Sequence, residues 1–421
     1  GCTLEATRPL SIANGECRIL ANAARYPVER CVAPWVSESQ QGFLPGRSML
    51  SNVLAVDERM MEVALKEEAG SAVFLDFRAA FPTVSRGFIL TVLRRIGVPA
   101  SMMALVTTLY HANSCWVVAG GERHPGFTVG SGIRQGCPLS PVLFALAADL
   151  LLRCLNRRLP EVLIKAYADD IAVVMSHWRR DAPLLQRLLD EYALVSGLQL
   201  NMDKCVWVDL ADWDPQVAQN RVQQALPYFW AMKFATSAKY LGYYLGPDRG
   251  ELSWQKPLRK YDEGAKFWGQ SGGGLHVAAM AYSVYVLPVL TFVAQLEDPP
   301  EEWDKLEKTS FGKLVPCPGN SGLPRLAPHL AELGMPKSFA RLRQVALAAK
   351  LRIASREALA VGGLRVLERS RLLRRLEQST EYVVRAARWK EWIDKSFLHV
   401  IAAAVGELRG KGITPFRLEI R

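Results

Sequence analysis

The sequence predicts an α+β protein, and three observations support this fold class. Strand and helix patterns interleave up to about residue 246 without the regular strand–helix alternation of a parallel sheet. Two apolar runs are separated by only two aspartates, which is typical of an antiparallel hairpin. Beyond residue 250 helical patterns dominate, with several tryptophans as apolar anchors. We therefore expect a region of mixed strands and helices, followed by a mainly helical region.

The composition is that of a folded protein with more than one packed unit. At 421 residues the chain is longer than a typical domain of about 100 to 200 residues. Hydrophobic residues make up 50% and charged residues 22%, which excludes an intrinsically disordered protein. The 8 cysteines show no C-x-x-C spacing, so we expect no zinc site, no disulfide framework and a reducing compartment.

The positive charge is concentrated at the C-terminal end. The net charge is +11, and residues 339–421 contain 18 Lys and Arg against 8 Asp and Glu. This excess favours a surface that binds a polyanion. The alternative is that these arginines form the solvated faces of amphipathic helices.

Two further features concern processing and membranes. The chain begins at Gly1 without a signal-peptide pattern, which indicates a fragment or processed piece whose N-terminal portion is missing. Residues 275–296 carry no formal charge and are long enough to cross a membrane. Because Pro288 and polar residues interrupt this stretch, we interpret it as a buried helix pair broken near Pro288 and expect no membrane partner.

The first elements along the chain are a helix, a strand and a hairpin. Residues 49–68 have helical spacing, and residues 72–77 form a short apolar run that contains Asp76. Residues 115–119 and 126–129 flank two glycines, which predicts a hairpin.

A long helix and a second hairpin follow. Ser140 supplies a capping hydroxyl and Pro141 suits a first turn, so a helix is expected to start there. Apolar strands at residues 163–168 and 171–175 flank an acidic tip. The remaining patterns predict a helix over 184–195 that ends before Gly197, and strands at 205–210 and 240–245.

Three aspartates lie at strand ends, where carboxylates suggest a bound cation. Asp76 ends one predicted strand, and Asp169 and Asp170 form the tip of the acidic hairpin. Hard divalent ions prefer oxygen ligands, and two such ions can activate an attacking oxygen and stabilise a leaving one in phosphoryl transfer. The alternative is structural, because aspartate is common in turns.

The order of these segments resembles reverse transcriptases of non-LTR retrotransposons (LINE-like), from RPLSIAN at Arg8 to about Arg343. Any one motif alone is weak evidence, whereas six in the same order are specific. The matching segments are GFLPGRS (42–48) in the fingers, FLDFRAAF (74–81), SGIRQGCPLSP (131–141) and YADD (167–170) in the palm, GLQLNMDKC (197–205) as the fourth palm motif, and YLGYYLG (240–246) as the primer grip.

The resemblance implies a right-hand polymerase with fingers, a palm containing a small antiparallel sheet, and a helical thumb. We expect the fingers at 1–70 with an upstream portion missing, the palm at 71–246 with an inserted fingers segment at about 85–130, the thumb at 247–338, and a basic helical C-terminal region at 339–421.

For catalysis, the resemblance implies that Asp76 and Asp169 bind two Mg²⁺ ions, for which Mn²⁺ is a possible substitute, with Asp170 as a supporting ligand. Lys204 matches a lysine suited to protonate the departing pyrophosphate. A solvated turn lysine is the alternative.

For nucleotide binding, the resemblance implies a role for a set of side chains around the palm. Phe81 would block a ribose 2′-hydroxyl and so select dNTPs, or else it is a core residue. Gln135 and Gly136 would contact the incoming nucleotide. The expected phosphate or template contacts are Arg134, Arg8 and Arg47.

The primer grip would be formed by Tyr240, Leu241 and Gly242, where glycine allows close approach of the backbone, although Gly242 could equally be an ordinary hairpin residue. Pro82 stands where the family usually has an aspartate after the Ala-Phe pair, which puts that aspartate's local hydrogen bonding in doubt. We see no endonuclease motif and no Cys/His zinc knuckle in these residues.

The sequence therefore predicts an RNA-directed DNA polymerase that extends a DNA primer on an RNA template with dNTPs by two-metal nucleotidyl transfer. A viral replicase typically has glycine before its paired aspartates, and an intron maturase has a different second palm motif, so both are disfavoured. The remaining alternative is an inactive or repurposed relative that only binds RNA. The family implies an intracellular and nuclear location.

Overall fold

The chain forms two compact units. The computed structural model describes residues 14–211, 214–315, 323–356 and 365–412. The first unit is Gly1–Leu241 and the second is Gly242–Arg421. The expected limits of fingers, palm, thumb and C-terminal region remain predictions.

Short strands alternate with helices in the first unit. Its helices are α1 (Gly15–Val32), α2 (Met49–Lys66), α3 (Ala80–Thr83), α4 (Arg86–Arg95), α5 (Ala100–Tyr110), α6 (Ser140–Arg158), α7 (Trp178–Ser196) and α8 (Pro215–Ala225). Its strands are β1 (Ser71–Leu75), β2 (Ser114–Ala119), β3 (Glu122–Thr128), β4 (Leu163–Tyr167), β5 (Asp170–Met175), β6 (Val206–Asp209), β7 (Lys233–Phe234) and β8 (Ala238–Tyr240).

One sheet lies at the centre of this unit. Within its described residues the strand order is β4-β5-β1-β6-β7. All neighbouring pairs are antiparallel except β6 and β7, which are parallel. Every residue of β1 is buried, which explains its apolar sequence SAVFL, and helices α2 and α6 pack against the sheet. The predicted antiparallel sheet is confirmed, with β7 as a parallel edge strand that the sequence did not indicate.

The first turn of α6 differs from the prediction in one respect. The helix begins at Ser140 with Pro141 next, as expected, but its N-cap is Leu139 and no side chain caps it. The Ser140 hydroxyl is buried and lies 2.9 Å from the Tyr110 hydroxyl. The prediction of a capping hydroxyl is therefore wrong, because a buried hydroxyl partner takes the place of the backbone.

The second unit is mainly helical. Its elements are β9 (Tyr243–Leu245), α9 (Leu252–Gly269), α10 (Gly274–Ala281), α11 (Pro288–Thr291), α12 (Trp303–Leu314), α13 (Leu323–Leu326), α14 (Leu342–Ser355), α15 (Val366–Glu377), α16 (Val383–Asp394) and α17 (Phe397–Gly410). Trp254, Trp303 and Trp389 are almost completely buried here, which agrees with their expected role as anchors.

Part of the uncharged stretch of the sequence packs in the core of the second unit. Among the described residues, Gly274–Thr291 is long and apolar enough to cross a membrane by length and composition alone. Within this stretch Tyr282, Val286 and Leu290 belong to a buried cluster. A π-helical turn precedes α11, which starts at Pro288, so the predicted interruption is present.

Candidate active site

The sheet brings the predicted metal ligands to one end of neighbouring strands. Leu75, the last residue of β1, pairs with Ile171 of β5. Asp76 and Asp170 are the next residues beyond this pair, and directly opposite residues in antiparallel strands have Cα atoms about 4.5 to 5.5 Å apart. Asp169 lies in the turn between β4 and β5, after Ala168, whose φ of 58° is in the left-handed region.

The three carboxylates remain accessible at this edge. About 25% of the Asp76 side chain is exposed, Asp169 is half-buried, and Asp170 is exposed. An all-oxygen donor set of this kind fits a hard divalent cation. In the described part of the chain no three His, Cys, Asp or Glu side chains converge closely enough to hold an ion. The strand register, and not a preformed ligand cage, is what places the aspartates together.

The fourth palm motif folds around Asp76. The backbone N–H of Asn201 donates to the Asp76 carbonyl at 2.8 Å, and Leu200 forms an isolated bridge with Phe77. The turn that follows places Lys204 Nζ 3.9 Å from Asp76 Oδ2. The exposed ammonium of Lys204 therefore lies beside the aspartate that the sequence identified as a metal ligand.

A buried thiol supports the same aspartate, and the sequence analysis did not single it out. Cys205 Sγ lies 3.4 Å from the Asp76 backbone nitrogen, which donates to it, and 3.8 Å from the Asp76 carbonyl oxygen. Burial raises the pKa of the Cys205 thiol to about 11, so the thiol is neutral near pH 7. Its only signal in the sequence is its position directly after Lys204.

Phe81 lies in an aromatic group beside the site. Its ring stacks on Phe144, with centroids 4.8 Å apart and planes 10° apart, and it meets Phe43 edge to face at 6.3 Å. Phe43 is also 6.0 Å from Tyr167, the first residue of YADD. Phe81 is partly buried. Its position is compatible with both a gate and a core residue, so the gate remains a prediction.

The loop before α6 carries the other predicted nucleotide contacts. Gln135 is half-buried, and Gly136 is exposed with a φ of 101°, a conformation that favours glycine. Arg134 points elsewhere: it donates to the Leu109 carbonyl and lies over the Tyr110 ring at 5.4 Å. A phosphate contact from Arg134 would require it to leave these partners.

Pro82 stands at a position where no backbone N–H donor is needed. It lies in the single turn of α3, where backbone N–H groups have no helical partner, so the missing donor loses nothing. Its carbonyl accepts from the Ser131 hydroxyl at 3.3 Å, and Ile133 N–H donates to the Phe81 carbonyl at 2.8 Å. These bonds connect the first and second palm motifs.

Arg47 has backbone partners, and Arg8 lies outside the described residues. The Arg47 guanidinium donates to the carbonyls of Val36, Ser37 and Gln40. Burial lowers the pKa of Arg47 from its ordinary value. That ordinary value is so far above neutral pH that the guanidinium stays charged. Arg47 thus fastens the loop before it, and its predicted contact with triphosphate or template remains a prediction.

Of the primer-grip residues, Tyr240 packs inside the first unit. Its hydroxyl donates to the Lys165 carbonyl at 3.3 Å and accepts from Asn52 Nδ2 at 3.4 Å. The ring centroids of Tyr240 and Phe74 are 5.6 Å apart. Burial raises the pKa of this hydroxyl well above its ordinary value. Tyr240 therefore stabilises the sheet.

The next two residues have left-handed backbones, with φ of 48° at Leu241 and 92° at Gly242. A Cβ at Gly242 would come 2.6 Å from the Phe292 ring, so the fold itself requires glycine there. The structural explanation of Gly242 is thereby supported, and a contact with primer remains a prediction.

Comparison with known proteins gives one family. The sequence model of the family described as reverse transcriptase (RNA-dependent DNA polymerase) matches residues 3–245. This range contains all of the predicted site residues.

Similar curated proteins come from retrotransposable elements. A Pol polyprotein from type-2 retrotransposable element R2DM of Drosophila melanogaster is 30% identical over 41% of this chain and 17% of its own length. One from type-1 element R2 of Popillia japonica is 29% identical over 38% of this chain and 28% of its own. A transposon TX1 protein of Xenopus laevis is 26% identical over 47% of this chain and 16% of its own length. The matches thus cover less than a third of each relative's length.

Among solved structures, a telomerase from Candida Tropicalis in complex with a TWJ fragment of telomeric RNA is 10% identical. The superposition covers 84% of this chain and 56% of the telomerase chain, with a TM-score of 0.42.

Proposed function

The chain belongs to the reverse transcriptase (RNA-dependent DNA polymerase) family, and we therefore propose that it extends a DNA primer on an RNA template with dNTPs. The resemblance of the sequence to reverse transcriptases of non-LTR retrotransposons is confirmed by the family match and by the R2 relatives. The observation that carries the proposal is the placement of Asp76 and Asp170 at adjacent strand ends, with Asp169 in the connecting turn.

Divalent metal use is general for this family, and here we propose two Mg²⁺ ions as the cofactor, with Mn²⁺ as a substitute. Asp76 and Asp169 would hold them, and Asp170 would assist. When bound, such ions supply charge neutralisation for the attacking and leaving oxygens of an in-line phosphoryl transfer. The protein's own contribution is to fix the carboxylates on a rigid sheet, which limits their reorganisation when substrate binds.

Lys204 has the proposed role of proton donor. An ammonium beside Asp76 can protonate the bridging oxygen of the departing pyrophosphate and neutralise its charge. Phe81 has the proposed role of excluding a ribose 2′-hydroxyl, with Phe144 beneath it to keep the ring in place. The loop at Gln135 and Gly136 would border the nucleotide. Nuclear action inside the cell remains a proposal from the family.

The test is primer extension on poly(rA)/oligo(dT) with dTTP and Mg²⁺. We expect extension by the wild-type chain and at least about a 1,000-fold loss in Asp169→Ala, because positioning and metal-held charge provide most of the rate in phosphoryl transfer. Asp203→Ala is the matched control, since Asp203 is an exposed carboxylate of the same motif as Lys204 and is not a proposed ligand.

Binding is measured in parallel. If the wild-type chain binds RNA in a salt-sensitive manner but does not extend the primer, the proposal fails and the binding-only alternative takes its place. Equal activity of Asp169→Ala and wild type would refute the assignment of the aspartates.

A further inference from the structure

A glutamine outside all the palm motifs holds the turn that carries Asp169. The Gln40 side chain is completely buried. Its Oε1 accepts from the Ala168 backbone N–H at 2.8 Å, and its Nε2 donates to the Ala168 carbonyl at 3.2 Å. One amide thus bonds both backbone groups of the residue that immediately precedes Asp169.

Ala168 needs such support because of its conformation. Its φ of 58° is in the left-handed region, where a residue with a Cβ is strained unless its surroundings hold it. The strain falls between Tyr167 and Asp169, in the two-residue connection from β4 to β5. The direction of the Asp169 side chain follows from this turn, so whatever holds Ala168 also orients the carboxylate.

Gln40 is itself fixed by its neighbours. The Gly42 N–H donates to the same Oε1 at 2.9 Å. The backbone beside Gln40 pairs with β4, because Ala166 N–H donates to the Ser39 carbonyl at 2.7 Å and Gln41 N–H donates to the Ala166 carbonyl at 2.8 Å. The amide therefore has three hydrogen bonds and little freedom to rotate.

Close packing leaves no room for the loop to shift. A Cβ on Gly42 would overlap the Ala168 backbone nitrogen, so only glycine lets the two segments approach this far. The Arg47 guanidinium closes the loop from the other end by donating to the Gln40 carbonyl.

We propose that Gln40 is a positioning residue of the active site, which holds Ala168 in the left-handed conformation and thereby aims Asp169 at the metal. This inference rests on the proposed function for the identity of the site. It assigns Gln40 no contact with substrate. It also gives the segment before GFLPGRS a function in catalysis that its sequence does not show.

Gln41 provides a matched control. Its Nε2 donates to the Glu38 carbonyl at 2.8 Å and its Oε1 accepts from Ser48 N–H at 3.2 Å. The hydrogen bonds of its side-chain amide therefore remain within its own loop. Gln40→Met and Gln41→Met remove the same chemical group from adjacent residues with similar volume. Only the first substitution releases Ala168.

The experiment titrates Mg²⁺ in primer extension and Mn²⁺ by water-proton relaxation, which reports metal binding without turnover. In Gln40→Met we expect kcat to fall about 100-fold, as for a misplacement of about 1 Å. The half-saturating Mg²⁺ and Mn²⁺ concentrations should rise several-fold, with the KM for dTTP and the affinity for RNA–DNA hybrid unchanged. Gln41→Met should match the wild type in all of these.

A second variant separates a displaced turn from a general folding defect in Gln40→Met, because only the first can be relieved at Ala168. Ala168→Gly removes the Cβ that disfavours the left-handed region, so in the Gln40→Met background it should restore part of the Mn²⁺ affinity. Equal Mn²⁺ affinity in wild type and Gln40→Met would overturn the proposal. If the wild-type chain does not extend primer, the proposed function fails, while the Mn²⁺ titration still decides whether Gln40 positions the site.

Discussion

The candidate active site in the first unit and the exposed face of α15 in the second unit use charged side chains in different ways. At the site in the first unit, Lys204 and the Cys205 thiol contact Asp76, and in the loop before α2 the Arg47 guanidinium donates to three carbonyls. In the second unit, Arg371 and Arg374 on α15 are exposed to solvent. The first arrangement suits a chemical step at one place, and the second suits a diffuse attraction to a polyanion.

The two arrangements differ in whether the effects of single replacements add up. Groups at the site that share partners act together, so a single replacement there is expected to remove a whole function. Exposed charges that each neutralise one phosphate contribute separately and in small increments. The predictions below test this contrast, beginning with the largest expected effect.

Lys204→Ala should lower kcat for primer extension by about 100- to 10,000-fold, the usual range for a general acid. The KM for dTTP should change little, because the proton is needed only as pyrophosphate departs. Lys204→Arg keeps the charge but is a poor proton donor. Single-turnover rates of the two variants therefore separate proton donation from charge neutralisation. Lys233→Ala, an exposed lysine on β7, is the control. A Lys204→Ala rate within twofold of wild type would support the solvated-lysine alternative.

Arg47→Met should destabilise the first unit by about 2 to 4 kcal/mol, because three carbonyls lose a charged donor. Denaturant unfolding measures the change, and Arg30→Met, at an exposed position in the last turn of α1, is the comparison. If stability is unchanged and the KM for dTTP rises instead, the predicted triphosphate contact is correct and the structural role is secondary.

Phe81→Ala should raise the incorporation of UTP relative to dTTP by about tenfold or more if the ring excludes the 2′-hydroxyl, since a steric block of about 1.4 kcal/mol corresponds to a factor of ten. Competition between the two nucleotides on the same primer gives the ratio directly. A core role predicts a different result, in which the protein loses stability through the gap above Phe144 and the UTP to dTTP ratio stays constant.

Replacing Arg371 and Arg374 together by Gln should weaken RNA binding about tenfold at about 0.2 M salt. The slope of log affinity against log salt should become shallower by about 1.4 to 1.8 if each arginine contacts one phosphate. Filter binding over a series of salt concentrations measures the slope. The matched control is the pair Arg157→Gln and Arg158→Gln, two exposed arginines at the end of α6 in the first unit. Equal slopes for both pairs would contradict the contrast between the units.

Local sequence patterns were enough to place the main elements and the aspartates. Period-two and helical patterns involve near neighbours in the chain, so the strands ending near Asp76 and at the Asp169 turn were predicted to within about two residues. The order of motifs also indicated the family, because that order is a property of the amino-acid sequence itself. The prediction that Ser140 caps the helix failed because its hydroxyl partner, Tyr110, lies 30 positions away in the sequence and is brought near only by the tertiary fold.

The side chains that support the site could be identified only from the folded chain. Cys205 contacts Asp76 across 129 positions of sequence, and Gln40 reaches Ala168 across 128. Hydrogen bonds between such distant partners leave no periodic trace, and a buried glutamine has the same letter as an exposed one. The aspartates are visible in the sequence because strand ends are local features, whereas the groups that aim them are selected by tertiary packing.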